Sequence, residues 1–125
     1  MNNKVRAMIG LMEGRSYVIG REGHICIDNP TVSKYHAIIK ISDGKIYLRD
    51  LNSTNGTYLK HNNSRQPFEE GYVGPHQLIE IGGEEYSVQT LLAIAVRYSE
   101  AEDTKNEDKT SVFGSIKRLL KKQSG

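Results

Sequence analysis

Between Gly20 and Gly56 the chain carries three clusters of side chains able to hold an anion. They are Gly20-Arg21, then Ser33-Lys34-Tyr35-His36, then Asp50-Leu51-Asn52-Ser53-Thr54-Asn55-Gly56. A guanidinium presents a planar fork of donors that fits two phosphate oxygens at once. A hydroxyl donates to an ionised oxygen, an ammonium adds charge, and a primary amide both donates and accepts, which suits a peptide backbone. Each cluster falls at the end of a short apolar run, where loops are expected. The chemistry they suggest is a clamp for an anion carried on a peptide.

Catalysis and metal binding find less support in the same residues. Ser33, His36 and Asp50 are the residue types of a hydrolytic triad, yet no strained Gly-x-Ser-x-Gly elbow surrounds Ser33 and no oxyanion-hole segment can be named. His24 and Cys26, two apart on one strand, would share a face, but two ligands do not make a metal site. Cys26 is the only cysteine, so it forms no intrachain disulfide, and it is expected as a buried core thiol. No catalytic residue, metal or cofactor is expected, and a reducing cytoplasm is the expected location.

The elements that must position the clusters read as strands. Val5 to Ile9, Ser16 to Ile19, Ile25 to Ile27, Ala37 to Ile41, Ile46 to Leu48, Leu78 to Ile81 and Tyr86 to Leu91 are short apolar or alternating runs separated by turn residues. With no convincing helix among them they predict an all-β sandwich. Ser42-Asp43-Gly44-Lys45 is a hairpin signal, since aspartate and glycine accept the positive φ angles of a tight turn. Gly82-Gly83 supplies a second such turn, and Leu11 to Arg15 a looser one. Lys60 to His76 is polar and reads as a long loop with one short edge strand near Arg65 to Phe68.

The order and spacing of the three clusters resemble the forkhead-associated (FHA) domain, from about Val5 to about Leu91. The resemblance implies a sandwich of two twisted, mainly antiparallel sheets that reads phosphothreonine in partner proteins through its apical loops. It assigns Arg21 and Ser33 to the phosphate, with Lys34 beside them and Thr54 adding contacts, and Asn55 to the peptide backbone. Gly20, His36 and Gly56 take supporting roles, His36 by hydrogen-bonding across the recognition loops. Asn52 stands where the family often has glycine and still tolerates a left-handed backbone. Many family members have an asparagine-glycine turn where this chain has Lys60-His61-Asn62-Asn63, and the tip Glu22-Gly23-His24 is short, so the preference for a residue three places beyond the phosphothreonine does not carry over. The expected function is that of a non-catalytic reader downstream of a serine/threonine kinase. A phosphate-independent scaffold or oligomerisation module is the alternative.

Composition agrees with one small domain and a tail. Of 125 residues, only about 95 look able to fold, an ordinary size for one modest core. Lysine and arginine total 17 against 15 aspartates and glutamates, without the basic excess or the row of stacking aromatics that nucleic-acid binding relies on. The opening residues are basic, but the apolar stretch after them breaks at Gly10 and Glu13, too short for a secretory signal core. No run approaches the roughly 20 apolar residues of a membrane-spanning helix. The expected layout is an FHA domain over residues 1–97, a flexible charged linker over 98–111 and a short basic amphipathic helix over 112–125. In that helix Val112, Phe113, Ile116, Leu119 and Leu120 share one stripe. The linker carries Thr104 and Thr110, which the domain could capture once phosphorylated; self-association through the tail is one expectation, and presentation of the basic helix to a partner or an acidic membrane surface is the other.

Overall fold

The computed structural model describes residues 3–104, and their side chains through residue 98. Its order is α1 (Asn3–Leu11), β1 (Ser16–Gly20), β2 (Ile25–Cys26), β3 (Ala37–Ser42), β4 (Lys45–Asp50), β5 (Thr57–His61), β6 (Ser64–Pro67), β7 (Glu70–Val73), β8 (Leu78–Ile81), β9 (Glu84–Ser87) and α2 (Val88–Thr104). One sheet runs β2-β1-β3-β4-β7 and the other β6-β5-β8-β9. All pairings are antiparallel except β1 with β2. The expected two-sheet sandwich is therefore present.

Alternation builds it. In β3, Ala37, Ile39 and Ile41 point inward while Lys40 and Ser42 face water, and in β4 Ile46 and Leu48 do the same between Lys45, Tyr47 and Arg49. Such a strand cannot slip by one residue without turning its apolar set to solvent. The β3–β4 turn has positive φ at Asp43 and Gly44 (55° and 71°), and the β8–β9 turn at Gly82 and Gly83 (64° and 80°), as the hairpin signals require. The Glu13 carboxylate accepts hydrogen bonds from the amides of Asp43 and Gly44, tying the turn after α1 to the first hairpin.

Several local readings are corrected. Val5 to Ile9 lies in a helix, because Val5, Ile9 and Met12 are buried along one helical face. Tyr86 to Leu91 is a strand only to Ser87, where the Ser87 hydroxyl accepts the Thr90 amide at 3.1 Å and caps α2. Val88, Leu91, Leu92 and Ala95 then recur at helical spacing and are fully buried. This helix continues through Thr104, so residues 98–104 of the expected flexible linker are helical. Thr110 and the expected helix over 112–125 lie outside the described residues. The polar stretch from Lys60 to His76 holds two strands, β6 and β7, rather than one.

The helices share one side. α2 packs against β2 and β9, one edge strand from each sheet, and against α1. It starts where Val88 and Gln89 donate to Gln77 and Pro75 and reaches the β1–β2 connection, where Tyr98 meets His24 edge-on at 5.0 Å. It thereby covers two edges that would otherwise offer unpaired backbone.

Candidate functional site

Strand polarity decides where the three clusters go. Gly20 ends β1, Ala37 opens β3, Asp50 ends β4, Thr57 opens β5, and the registers Ile19↔Ala37, Ala37↔Asp50 and Thr57↔Ile81 set these positions at one end of the sandwich. The loops they bound meet there. Arg21, Ser33, Lys34, Thr54 and Asn55, scattered over 35 positions of sequence, are joined by short contacts across those loops.

The first two clusters are strapped together by backbone. The Arg21 and Glu22 amides donate to the carbonyls of Ser33 and Lys34, each at 3.1 Å. Gly20 makes this approach possible: a Cβ on it would lie 2.2 Å from the Lys34 carbonyl oxygen and 2.9 Å from that of Ser33. Arg21 Nε donates to the Val32 carbonyl at 2.7 Å, which fixes the plane of the guanidinium and commits only one of its five N–H groups. Lys34 lies 3.6 Å from the Glu22 carboxylate, both side chains about half exposed.

The third cluster closes on the second. The Thr54 amide donates to Ser33 Oγ at 3.0 Å, so that oxygen is an acceptor and its own proton is left to donate elsewhere. Asn55 Nδ2 donates to the Thr31 carbonyl at 2.8 Å. Thr31 is held in turn by Asn29, whose Oδ1 accepts from both the amide and hydroxyl of Thr31 and whose Nδ2 donates to the Gly82 carbonyl. The β8–β9 turn of the second sheet thus braces the loop that carries Ser33.

Beneath the loops sits a buried polar network. His36 is fully buried; its Nδ1 accepts the Ser33 amide at 3.1 Å and its Nε2 donates to the Gly56 carbonyl at 2.9 Å. An acceptor at Nδ1 requires the neutral tautomer with the proton on Nε2. Asp50 accepts from the Ser53 amide, the Ser53 hydroxyl and the Thr57 hydroxyl at 3.0, 2.6 and 2.7 Å, and Ser53 Oγ accepts the Gly56 amide at 3.0 Å. Asn52, with φ at 56°, and Gly56, at 86°, turn the loop around this carboxylate. Asp50, Ser53 and Thr57 are structural members that the residue-by-residue reading left without a role; the hydroxyl residues three and seven places after an aspartate were the available signal.

Ser33, His36 and Asp50 do not form a triad. Ser33 meets His36 through its backbone amide, and Asp50 is 4.0 Å from the same Nε2 that serves Gly56. Cys26 is exposed, contrary to the expected core thiol, because β2 is a two-residue edge strand and its Sγ turns to the Arg21 carbonyl at 3.3 Å. His24 is instead buried, accepting the Val18 amide at Nδ1, so the two do not share a face. Burial holds the His24 pKa below its usual value. Burial, with the Glu22 carboxylate second, pushes the Tyr35 phenol up. Among the described residues no group of three His, Cys, Asp or Glu side chains could hold a metal ion, and no helix is long and apolar enough to cross a membrane.

Known structures are similar to this chain in fold. An FHA domain studied for phosphothreonine-dependent interactions is 35% identical, with a TM-score of 0.50 over 58% of this chain and 73% of that one. The FhaA FHA domain, crystallised with the intracellular domain of Rv3910, has the same identity and TM-score over 58% and 77%. The FHA domain of CT664 from Chlamydia trachomatis, at 23% identity and a TM-score of 0.52 over 60% and 75%, shares the fold. No curated protein matches. The family model for the FHA domain matches residues 14–82, more than half of the sequence, and it is to the FHA domain family that this chain belongs.

Proposed function

We propose that the protein is a non-catalytic reader of phosphothreonine in partner proteins, acting in the cytoplasm downstream of a serine/threonine kinase. The phosphate is taken by Arg21, Ser33 and Lys34 with Thr54, and the peptide backbone by Asn55, while Gly20, His36 and Gly56 hold the loops. One observation carries this reading: Ser33 Oγ already accepts the Thr54 amide, so its proton is left to donate to a ligand at the end of the sandwich where Arg21 and Lys34 supply positive charge. The similar FHA domain studied for phosphothreonine-dependent interactions supports the choice of ligand.

Titration calorimetry of a phosphothreonine peptide library against the wild type and Arg21→Ala tests it. Losing a charge-assisted, bidentate contact should weaken binding by about 2 to 4 kcal/mol, or roughly 30- to 1,000-fold. The protein should stay folded with only a small fall in melting temperature, because Arg21 is exposed and gives up one hydrogen bond, to the Val32 carbonyl. Phosphopeptide binding that survives unchanged in Arg21→Ala, or that resists competition by millimolar inorganic phosphate, would instead favour a phosphate-independent scaffold.

A further inference from the structure

An anion-binding site gains nothing from a carboxylate of its own, yet this one has Glu22 next to Arg21 and 3.6 Å from Lys34 Nζ. The placement is fixed by backbone: the Glu22 amide donates to the Lys34 carbonyl, and the neighbouring amide of Arg21 to that of Ser33. Glu22 therefore cannot drift from the site without opening the strap. Its side chain is about half exposed and paired with Lys34, so it is open to solvent beside a residue of the phosphate clamp. Its charge also adds to burial in raising the Tyr35 pKa.

We propose that Glu22 is a specificity-determining residue that selects phosphothreonine segments carrying lysine or arginine next to the phosphorylated residue. This deepens the phosphothreonine-reader assignment and rests on it. A phosphate dianion at Arg21, Ser33 and Lys34 competes with Glu22 for the Lys34 ammonium and repels the carboxylate. A cation on the ligand beside the phosphate restores a partner to Glu22, whereas an acidic neighbour adds a second repulsion. The carboxylate thus weakens every bare phosphate and returns the loss only to a ligand of the right charge, which is selection by an opposing element as well as by attraction. The kinases that supply such ligands are those that phosphorylate threonines beside basic residues.

The test uses full-length protein and three phosphothreonine peptides, with flanking alanine, lysine or glutamate, measured by calorimetry at low and high salt. An exposed charge pair changes a binding constant by a factor of about 1.5 to 5, so exchanging attraction for repulsion gives the lysine peptide an advantage of about 2- to 25-fold over the glutamate peptide at low salt. The advantage should shrink at high salt. In Glu22→Gln, of the same shape and without the charge, the ratio should fall to about one or invert, because Arg21 and Lys34 then favour the acidic flank, and the alanine peptide should bind about two-fold more tightly. An unchanged melting temperature for Glu22→Gln and an intermediate ratio for Glu22→Asp separate specificity from a structural role. Equal affinities for the three peptides in the wild type, or the same ratio in wild type and Glu22→Gln, overturn the proposal while leaving the reader assignment in place. Failure of all three peptides to bind, in wild type and in Glu22→Gln, overturns both.

Discussion

Replacing His36 with alanine should cost the domain about 3 kcal/mol. The imidazole is fully buried and satisfies two backbone groups from different loops, the Ser33 amide and the Gly56 carbonyl. Alanine leaves both without a partner, at about 1 kcal/mol each when water can partly reach them. The space left by the ring adds about 1 kcal/mol more, since close-packed surroundings relax only in part. For a domain of this size about 3 kcal/mol corresponds to a fall in Tm of about 12 °C or more. Urea melts of wild type and His36→Ala give the stability difference. Hydrogen exchange adds a local readout, with the Ser33 and Gly56 amides losing protection together because His36 and Ser53 hold one loop system. A difference below about 1 kcal/mol, or a loss confined to one loop, would refute the view that this ring joins them.

Other expectations follow from the same geometry. Gly20→Ala places a Cβ 2.2 Å from the Lys34 carbonyl oxygen, so it should cost about 3 kcal/mol or more in a denaturation experiment and weaken phosphopeptide binding as the strap opens; a neutral substitution would show that the strap is soft. Because burial lowers the His24 pKa in the folded state, the unfolded chain binds more protons just below its own pKa of about 6.5, and stability should fall as pH is lowered through that point. Urea midpoints in His24→Gln should show a flatter acid slope, and an identical slope would count against this assignment. Phosphothreonine should be preferred to phosphoserine by about 0.8 kcal/mol, the value of one buried methyl, and equal affinities in calorimetry would mean that no methyl pocket forms.

Much of the architecture is written in local pattern. β3 and β4 announce themselves because their alternation is strict and their turn is Asp43-Gly44, whose positive φ angles few other residues accept. α1 is hidden because Val5, Ala7 and Ile9 also fit a period of two, while the helical set Val5, Ile9 and Met12 becomes decisive only when α2 provides something to pack against. α2 was masked by its own junction: Tyr86 and Val88 continue the alternation of β9 across Ser87, the residue that caps the helix. β7 reads as loop because it contains Gly71 and shows little apolar character, and it forms through pairing with β4. In the candidate site, the meeting of the loops that carry Arg21, Ser33, Thr54 and Asn55 is legible from residue type and order, while the Asp50 network depends on a loop curvature that forms only once two sheets meet.

The helical side of the sandwich sets the timetable of folding. Val5, Ile9 and Met12 come before the span matched by the family model, and Val88, Leu91, Leu92 and Ala95 come after it, yet all belong to one continuous core. During synthesis the chain emerges at about 5 to 20 residues per second, and every strand is made before the residues that cover the edges of β2 and β9. Until Ala95 is available the nascent sheets carry an open apolar flank, the kind of surface that chaperones hold and aggregates grow from. A fragment cut to residues 14–82 would lack β9 as well as both helices, so it would keep the recognition loops and lose the foundation beneath them.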